Sequence, residues 1–143
     1  MSMDPYTTHI KSIKDKLHDV VLSCTSFADN AYADYIKSVK KYPVAFIRLK
    51  SDKINDIGPA ETHHLTTFVI QVENRSGYDE AALDLILGYA GEIVDAIEAN
   101  RTLGSTHVSN AEITEVDYTL RNDREAVFHY AHITVVTSSL RNV

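Results

Sequence analysis

The sequence predicts an α+β fold, a mostly antiparallel four-stranded sheet with two long helices in the order α-β-β-α-β-β. Three observations predict it. Apolar residues recur every three or four positions in two segments, from Pro5 to Cys24 and from Tyr78 to Gly104. In four other segments apolar and polar residues alternate, as a strand with one covered face requires. The connections within each pair of alternating segments are too short for a crossover helix, which makes the paired strands antiparallel neighbours.

Asp4 followed by Pro5 opens the first helix: a capping carboxylate, then a residue whose missing N–H costs nothing at that position. Ile10, Ile13, Leu17, Val20, Val21 and Cys24 form its apolar stripe, and Lys11, Lys14, Asp15, Lys16 and Asp19 occupy the other faces. Cys24 lies on the stripe with no basic group arranged around it, so it reads as an inert buried thiol. From Ser26 to Lys41 the spacing of Ala31, Tyr32, Tyr35, Ile36 and Val39 leaves two readings open, a short extra helix near 29–39 or an irregular connection. Tyr42 and Pro43 end that segment, because a residue before proline is pushed out of the helical region.

Val44 to Lys50 is a short strand, with Ala45, Ile47 and Leu49 on one face and Val44, Phe46 and Arg48 on the other. A polar connection is expected from Ser51 to Thr62, then a strand from Leu65 to Glu73. Ser76 and Gly77 turn the chain into the second helix, with Asp79 and Glu80 at its start. Leu83, Ile86, Ala90, Ile93, Val94 and Ile97 make its apolar stripe, while Asp84, Glu92, Asp95 and Glu98 are its solvated face. Arg101 suits the negative end of the helix dipole, and Gly104 is free to turn left-handed. Glu112 to Leu120 and Val127 to Thr137 form a long hairpin around the charged turn Arg121 to Glu125, and Ser138 to Val143 reads as a frayed tail. These last strands are apolar on both faces. The two helices cover one face, so a neighbouring subunit is expected on the other.

At 143 residues the chain fits one domain, 1–143, and can bury a real core. Its net charge of −6 argues against a general nucleic-acid binder. A single cysteine excludes an internal disulfide. No apolar run approaches the ~20 residues of a membrane span, and Met1 to Tyr6 lacks the apolar core of a secretion signal. An intracellular or self-assembling soluble protein is expected.

Chemical motifs are sparse. The sequence has no Gly-rich phosphate loop, no paired-cysteine metal motif and no Gly-x-Ser-x-Gly elbow. The histidines alone raise a catalytic alternative, a small metal-dependent hydrolase using His63 or His64 with His107, His129 or His132. Adjacent positions on a strand point to opposite faces, which works against His63 and His64 sharing a metal; His129 and His132 are separated in the same way. The carboxylates are dispersed, and nothing forces two into one cleft. A small-ligand module cupped by the sheet is a third reading, weakened by the scarcity of aromatic lining. No cofactor, metal or catalytic residue is expected. The mixed-charge stretches Lys50 to Lys53 and Arg121 to Glu125, at expected hairpin turns, are the better candidates. Such charge serves solubility alone or, in a ring or stacked assembly, sets register by opposite-charge pairing, which makes Lys50, Asp52, Lys53, Arg121, Asp123 and Arg124 the candidate assembly-interface residues.

Four stretches in order carry a resemblance. They are Tyr42-Pro43-Val44-Ala45-Phe46-Ile47-Arg48, then Thr67 to Glu73, then Ile93-Val94-Asp95-Ala96-Ile97 with Asn100, Thr102, Leu103 and Gly104, then Val116-Asp117-Tyr118 through Arg121, Asn122 and Asp123 to Ala131-His132-Ile133-Thr134-Val135. Together they resemble the tail-terminator (tail-completion, minor tail) proteins of long-tailed phages and proviruses, over about two thirds of the chain. The resemblance implies a structural, non-enzymatic virion protein with no cofactor. Its subunits, typically six, would form a homohexameric ring that caps the tail tube, ends its polymerisation and presents a surface for head attachment. The implied partners are further copies of the chain, the major tail-tube protein and a neck or head-completion protein, with no membrane and no sequence-specific nucleic acid. The implied location is the head-proximal end of the virion tail, reached from the host cytoplasm. Another head–tail joining protein is the nearest alternative.

Overall fold

A computed structural model describes residues 4–33, 41–76, 80–123 and 126–142. The elements in chain order are α1 Pro5–Leu22, a 3₁₀ turn Thr25–Phe27, β1 Ala31–Tyr32, β2 Val44–Gly58, β3 Glu61–Ser76, α2 Glu80–Ala99, β4 Val108–Asp123 and β5 Ala126–Asn142. The strands form one five-stranded mixed sheet in the order β1-β2-β3-β5-β4. The expected four-stranded antiparallel sheet is therefore wrong. The missing member is β1, which pairs parallel with β2 through Ala31↔Ala45 and Tyr32↔Phe46. Two residues are too few to display an alternating pattern, so periodicity cannot find such a strand. A side chain fixes it instead. Buried Asn30 donates from Nδ2 to the carbonyls of Lys41 (2.9 Å) and Pro43 (2.7 Å), and its own carbonyl accepts from Ala45 N–H at 3.2 Å. Of the short helix expected near 29–39, residues 29–33 form a turn and then a strand, and 34–40 lie outside the described residues.

Both long helices stand near their expected bounds. Asp4 caps α1, its carboxylate accepting from the Thr7 N–H at 2.9 Å and the Thr7 hydroxyl at 3.0 Å, with Pro5 in the first turn. These bonds hold the Asp4 carboxyl below its usual range. Ile10, Ile13, Leu17, Val20 and Val21 are buried as the stripe requires. In α2 the buried line is Ala82, Ile86, Ala90, Ile93 and Ile97, whereas Leu83 is 46% exposed. The expected start at Asp79 falls outside the described residues. The chain leaves α2 through two left-handed residues, Leu103 (φ 54°) and Gly104 (φ 68°).

The core lies between the helices and one face of the sheet, where Ala45, Ile47, Phe68, Ile70, Ile133 and Val135 meet Ile13, Leu17, Ile86 and Ile93. The opposite face carries a row of rings. Tyr42 lies 5.9 Å from Phe128, Phe128 lies 6.4 Å from Tyr130, and Tyr130 lies 6.3 Å from His132. The strands run much longer than expected. Ser51 to Gly58 belongs to β2 and pairs with β3, and β5 continues through Ser138–Asn142, the expected frayed tail, paired with β3. In these extensions polar residues occupy both faces, which hides the alternation that marks the inner halves.

Cys24 is buried at the end of α1, with Sγ 3.5 Å from the Glu92 carbonyl oxygen. Burial first, and then the Glu92 carboxylate, push its thiol up to about 11. Iodoacetamide at pH 8 is therefore expected to leave native Cys24 unlabelled over hours and to label it fully in urea. Rapid native labelling, read by intact mass, would contradict this placement. Glu92 itself is not merely a solvated residue. Its carboxylate accepts from Ser26 N–H at 3.2 Å and from the Ser26 hydroxyl, tying the 3₁₀ turn to α2.

Candidate functional site

The inward faces of β3 and β5 are apolar only along half their length. Beyond Phe68 and Val135 the same faces continue as Thr66, His64 and Thr62 on β3 and as Thr137, Ser139 and Arg141 on β5, paired Thr66↔Thr137, His64↔Ser139 and Thr62↔Arg141. A β-bulge brings β2 into this group. Leu49 pairs with Phe68 and Ser51 with Thr67, so Lys50 is the extra residue. Without it Ser51 and Lys53 would point inward; with it Asp52 does, opposite Thr66.

The Asp52 side chain is only 5% exposed and accepts two hydrogen bonds, from the Thr66 hydroxyl and from His64 Nδ1, each at 2.8 Å. Arg141 Nε lies 3.2 Å from His64 Nε2. A guanidinium only donates, so Nε2 is the acceptor and the ring proton sits on Nδ1, facing Asp52. The Thr62 hydroxyl points to the Arg141 carbonyl at 3.5 Å. The first turns of α1 close the group from above. His9 Nε2 lies 2.9 Å from the Ser139 hydroxyl, and its ring is 4.9 Å from that of His64. The Tyr6 ring lies 6.0 Å from His64 and 5.8 Å from the Arg141 guanidinium carbon. Burial and then the Asp52 carboxylate raise the Tyr6 phenol above its usual range. Burial, then the nearby His64, Arg141 and His107, lower His9 to about 4, against a weaker opposing pull from Asp52. His9 is thus neutral at physiological pH. An open cavity of about 500 Å³ adjoins it, lined in part by Thr8, His107 and Arg141.

As chemistry, this is a satisfied polar extension of the core. Every inward group named has a partner, and one buried carboxylate faces one guanidinium across a neutral imidazole. Among the described residues no three His, Cys, Asp or Glu side chains are grouped to hold a metal. His64 faces the helices, and His63, next to it in the strand, turns to the other face. His107 approaches His64 only by way of His9, at 6.4 Å from the His9 ring. His129 lines a separate apolar groove with Leu83, Tyr118 and Leu120, and His132 stacks beside Tyr130 on the opposite face. The pairing His64↔Ser139 puts His129 ten residues along β5, roughly 33 Å away.

The expected interface residues are not brought together. Lys50, Asp52 and Lys53 lie within β2, and its turn to β3 comes later, at Pro59 and Ala60. Asp52 is inside the polar group, while Lys50 and Lys53 are exposed. Arg121 lies near the end of β4, exposed, where its charge acts on Tyr130 and Glu73; Asp123 is the last residue of β4, and Arg124 lies outside the described residues. The two groups sit on opposite edges of the sheet. Among the described residues, the outer edge of β2 beyond Phe46 and the outer edge of β4 pair with no other strand.

No family model matches the chain, and no curated protein matches it in sequence. A solved structure does match in fold. The chain is similar to one in the virion of a native gene transfer agent (GTA) particle, with a TM-score of 0.53. The similarity covers 89% of this chain and 94% of that one, at 10% sequence identity. Such low identity conveys the arrangement of helices and strands and nothing about individual side chains. No described helix is long and apolar enough to cross a membrane.

Proposed function

We propose that this chain is a structural component of a phage-type virion, which assembles as a ring, caps the tail tube and receives the neck of the head. The observation that carries this reading is the fold likeness, over about nine tenths of both chains, to a component of a virion particle. Two sheet edges unpaired among the described residues, β2 beyond Phe46 and β4, support it, since strands with unsatisfied backbone groups are ready to bind other chains. On this reading the buried histidines hold the fold and perform no reaction. Partners are further copies of the chain, a tube subunit and a neck protein. A head–tail joining protein of the neck is the nearest variant of the same reading.

Incubating the purified protein with purified tail tubes and imaging by negative-stain electron microscopy tests it. Density at one end of each tube, and tube growth halted in a polymerisation assay, are the expected results. Tubes that stay bare at both ends and elongate normally would sink the terminator role. Binding to neck complexes alone would shift the assignment to a joining protein.

A further inference from the structure

The two free edges of the sheet are opposite in charge. The outer half of β2 presents Arg48, Lys50 and Lys53, all exposed, and β4 presents Glu112, Glu115 and Asp117, also exposed. None of the six makes an ion pair within the described residues. Their faces also agree. Arg48 and Lys53 pair with Val69 and Leu65 of β3, on the sheet face away from the helices. Glu112, Glu115 and Asp117 pair with Val136, Thr134 and His132 of β5, on that same face.

We propose that copies of this chain join head to tail through these edges, β4 of one running antiparallel beside the outer half of β2 of the next. This rests on the ring reading above and names the surface that makes the ring. In one register, Arg48 faces Asp117, Lys50 faces Glu115 and Lys53 faces Glu112 of the neighbouring copy. Each edge carries one extra residue there, at Lys50 in β2 and at Thr114 in β4, so the two strands stay in step through the irregularity. On the helix side the same register sets exposed Leu49 opposite half-buried Val116. Each copy would extend its neighbour's sheet with backbone hydrogen bonds, while the charge row fixes partner and register. The contact is heterologous, using a different patch on each copy, as a ring of more than two members requires. A β2 edge against a second β2 edge would oppose like charges, which disfavours a two-fold dimer there.

Charge reversal tests the pairing by native mass spectrometry and analytical ultracentrifugation. Reversing one edge alone, either R48E/K50E/K53E or E112K/E115K/D117K, is expected to weaken self-association by about 10- to 100-fold. Combining all six substitutions in one chain keeps the wild-type net charge of −6 and is expected to restore assembly. Mixing the two single-edge variants is also expected to restore it, as complexes with equal numbers of each. Circular dichroism at equal melting temperature establishes that the variants fold, and the rescued forms guard against a folding defect. If the wild type assembles and each single-edge variant assembles as well, or the six-fold variant stays apart, the edge assignment is wrong and the ring reading stands. If the wild type is monomeric up to millimolar concentration, both are wrong.

Discussion

Asp52→Ala is expected to lower folding stability by about 2–5 kcal/mol, the loss of leaving two buried donors without their acceptor. The carboxylate is the acceptor for two donors that water cannot reach, His64 Nδ1–H and the Thr66 hydroxyl, whose residues are fully buried. Each orphaned buried donor costs about 1–3 kcal/mol, and the Arg141 charge beside His64 would lose its counter-charge as well. Asp52→Asn retains one acceptor oxygen and is expected to lose less, about 1–3 kcal/mol. Lys53→Ala, one residue away but exposed, is expected to stay within about 0.5 kcal/mol of wild type. Urea unfolding followed by circular dichroism measures all three. A loss below about 1 kcal/mol for Asp52→Ala would mean that the carboxylate is not the acceptor these two donors depend on.

The contrast between Asp52 and Lys53 shows where sequence reading reached and where it stopped. Both belong to one mixed-charge stretch that reads as a loop. One backbone irregularity at Lys50 turns Asp52 into the core and leaves Lys53 outside. A bulge has no composition of its own, so hydropathy could not separate the two residues. The inner strand halves were legible because a phase of apolar residues runs through each, Ala45 and Ile47, then Phe68, Ile70 and Val72, then Ala131, Ile133 and Val135. Burial alternates with it in β5, whereas Val44, Phe46 and Val69 of the other face are buried as well. The outer halves were not, although a faint signal existed. Thr62, His64 and Thr66 continue the phase of Phe68, as Thr137, Ser139 and Arg141 continue that of Val135. His9 was missed for a related reason. It sits beside Ile10 at the edge of the α1 stripe and becomes buried only because the sheet extends beneath the start of the helix.

In α2 the stripe alone could not choose between Leu83 and Ala82 as the inward residue. Leu83, Leu85 and Leu87 are all 43–46% exposed, and bulk hydrophobicity would have buried them in place of alanine. The structure selects the line that passes through Ala82, Ile86, Ala90, Ile93 and Ile97. Leu83 instead borders the groove with Tyr118 and Leu120. The four-strand expectation failed at β1 for a different reason, since that strand depends on Asn30 and the returning chain at Lys41 to Pro43 rather than on any pattern of its own.

Acid should destabilise the protein through His9, by about 3 kcal/mol between pH 6.5 and pH 4. The unfolded chain protonates this histidine near 6.5, whereas burial holds the folded-state value at about 4. Between these values the unfolded state binds the extra proton, so stability falls as the pH falls and the loss is complete once the folded form also protonates. Each tenfold difference in proton affinity between the two states is worth about 1.4 kcal/mol, which sets the size. From about one pH unit above 6.5 His9 is essentially neutral in both states and contributes no slope. Glu73 acts in the opposite sense: burial raises its carboxyl, so the folded state takes up its proton first and gains as pH falls. A wild-type profile alone would mix the two. His9→Gln separates them, because a glutamine amide can occupy the position of Nε2, bond the Ser139 hydroxyl and take up no proton. Urea midpoints from pH 4 to pH 8 should therefore fall less steeply with acid in His9→Gln than in wild type, with the two curves running parallel above about pH 7.5. Curves parallel throughout, the acid limb included, would mean that His9 titrates at its ordinary value, and that the first turns of α1 do not seal the polar end of the core.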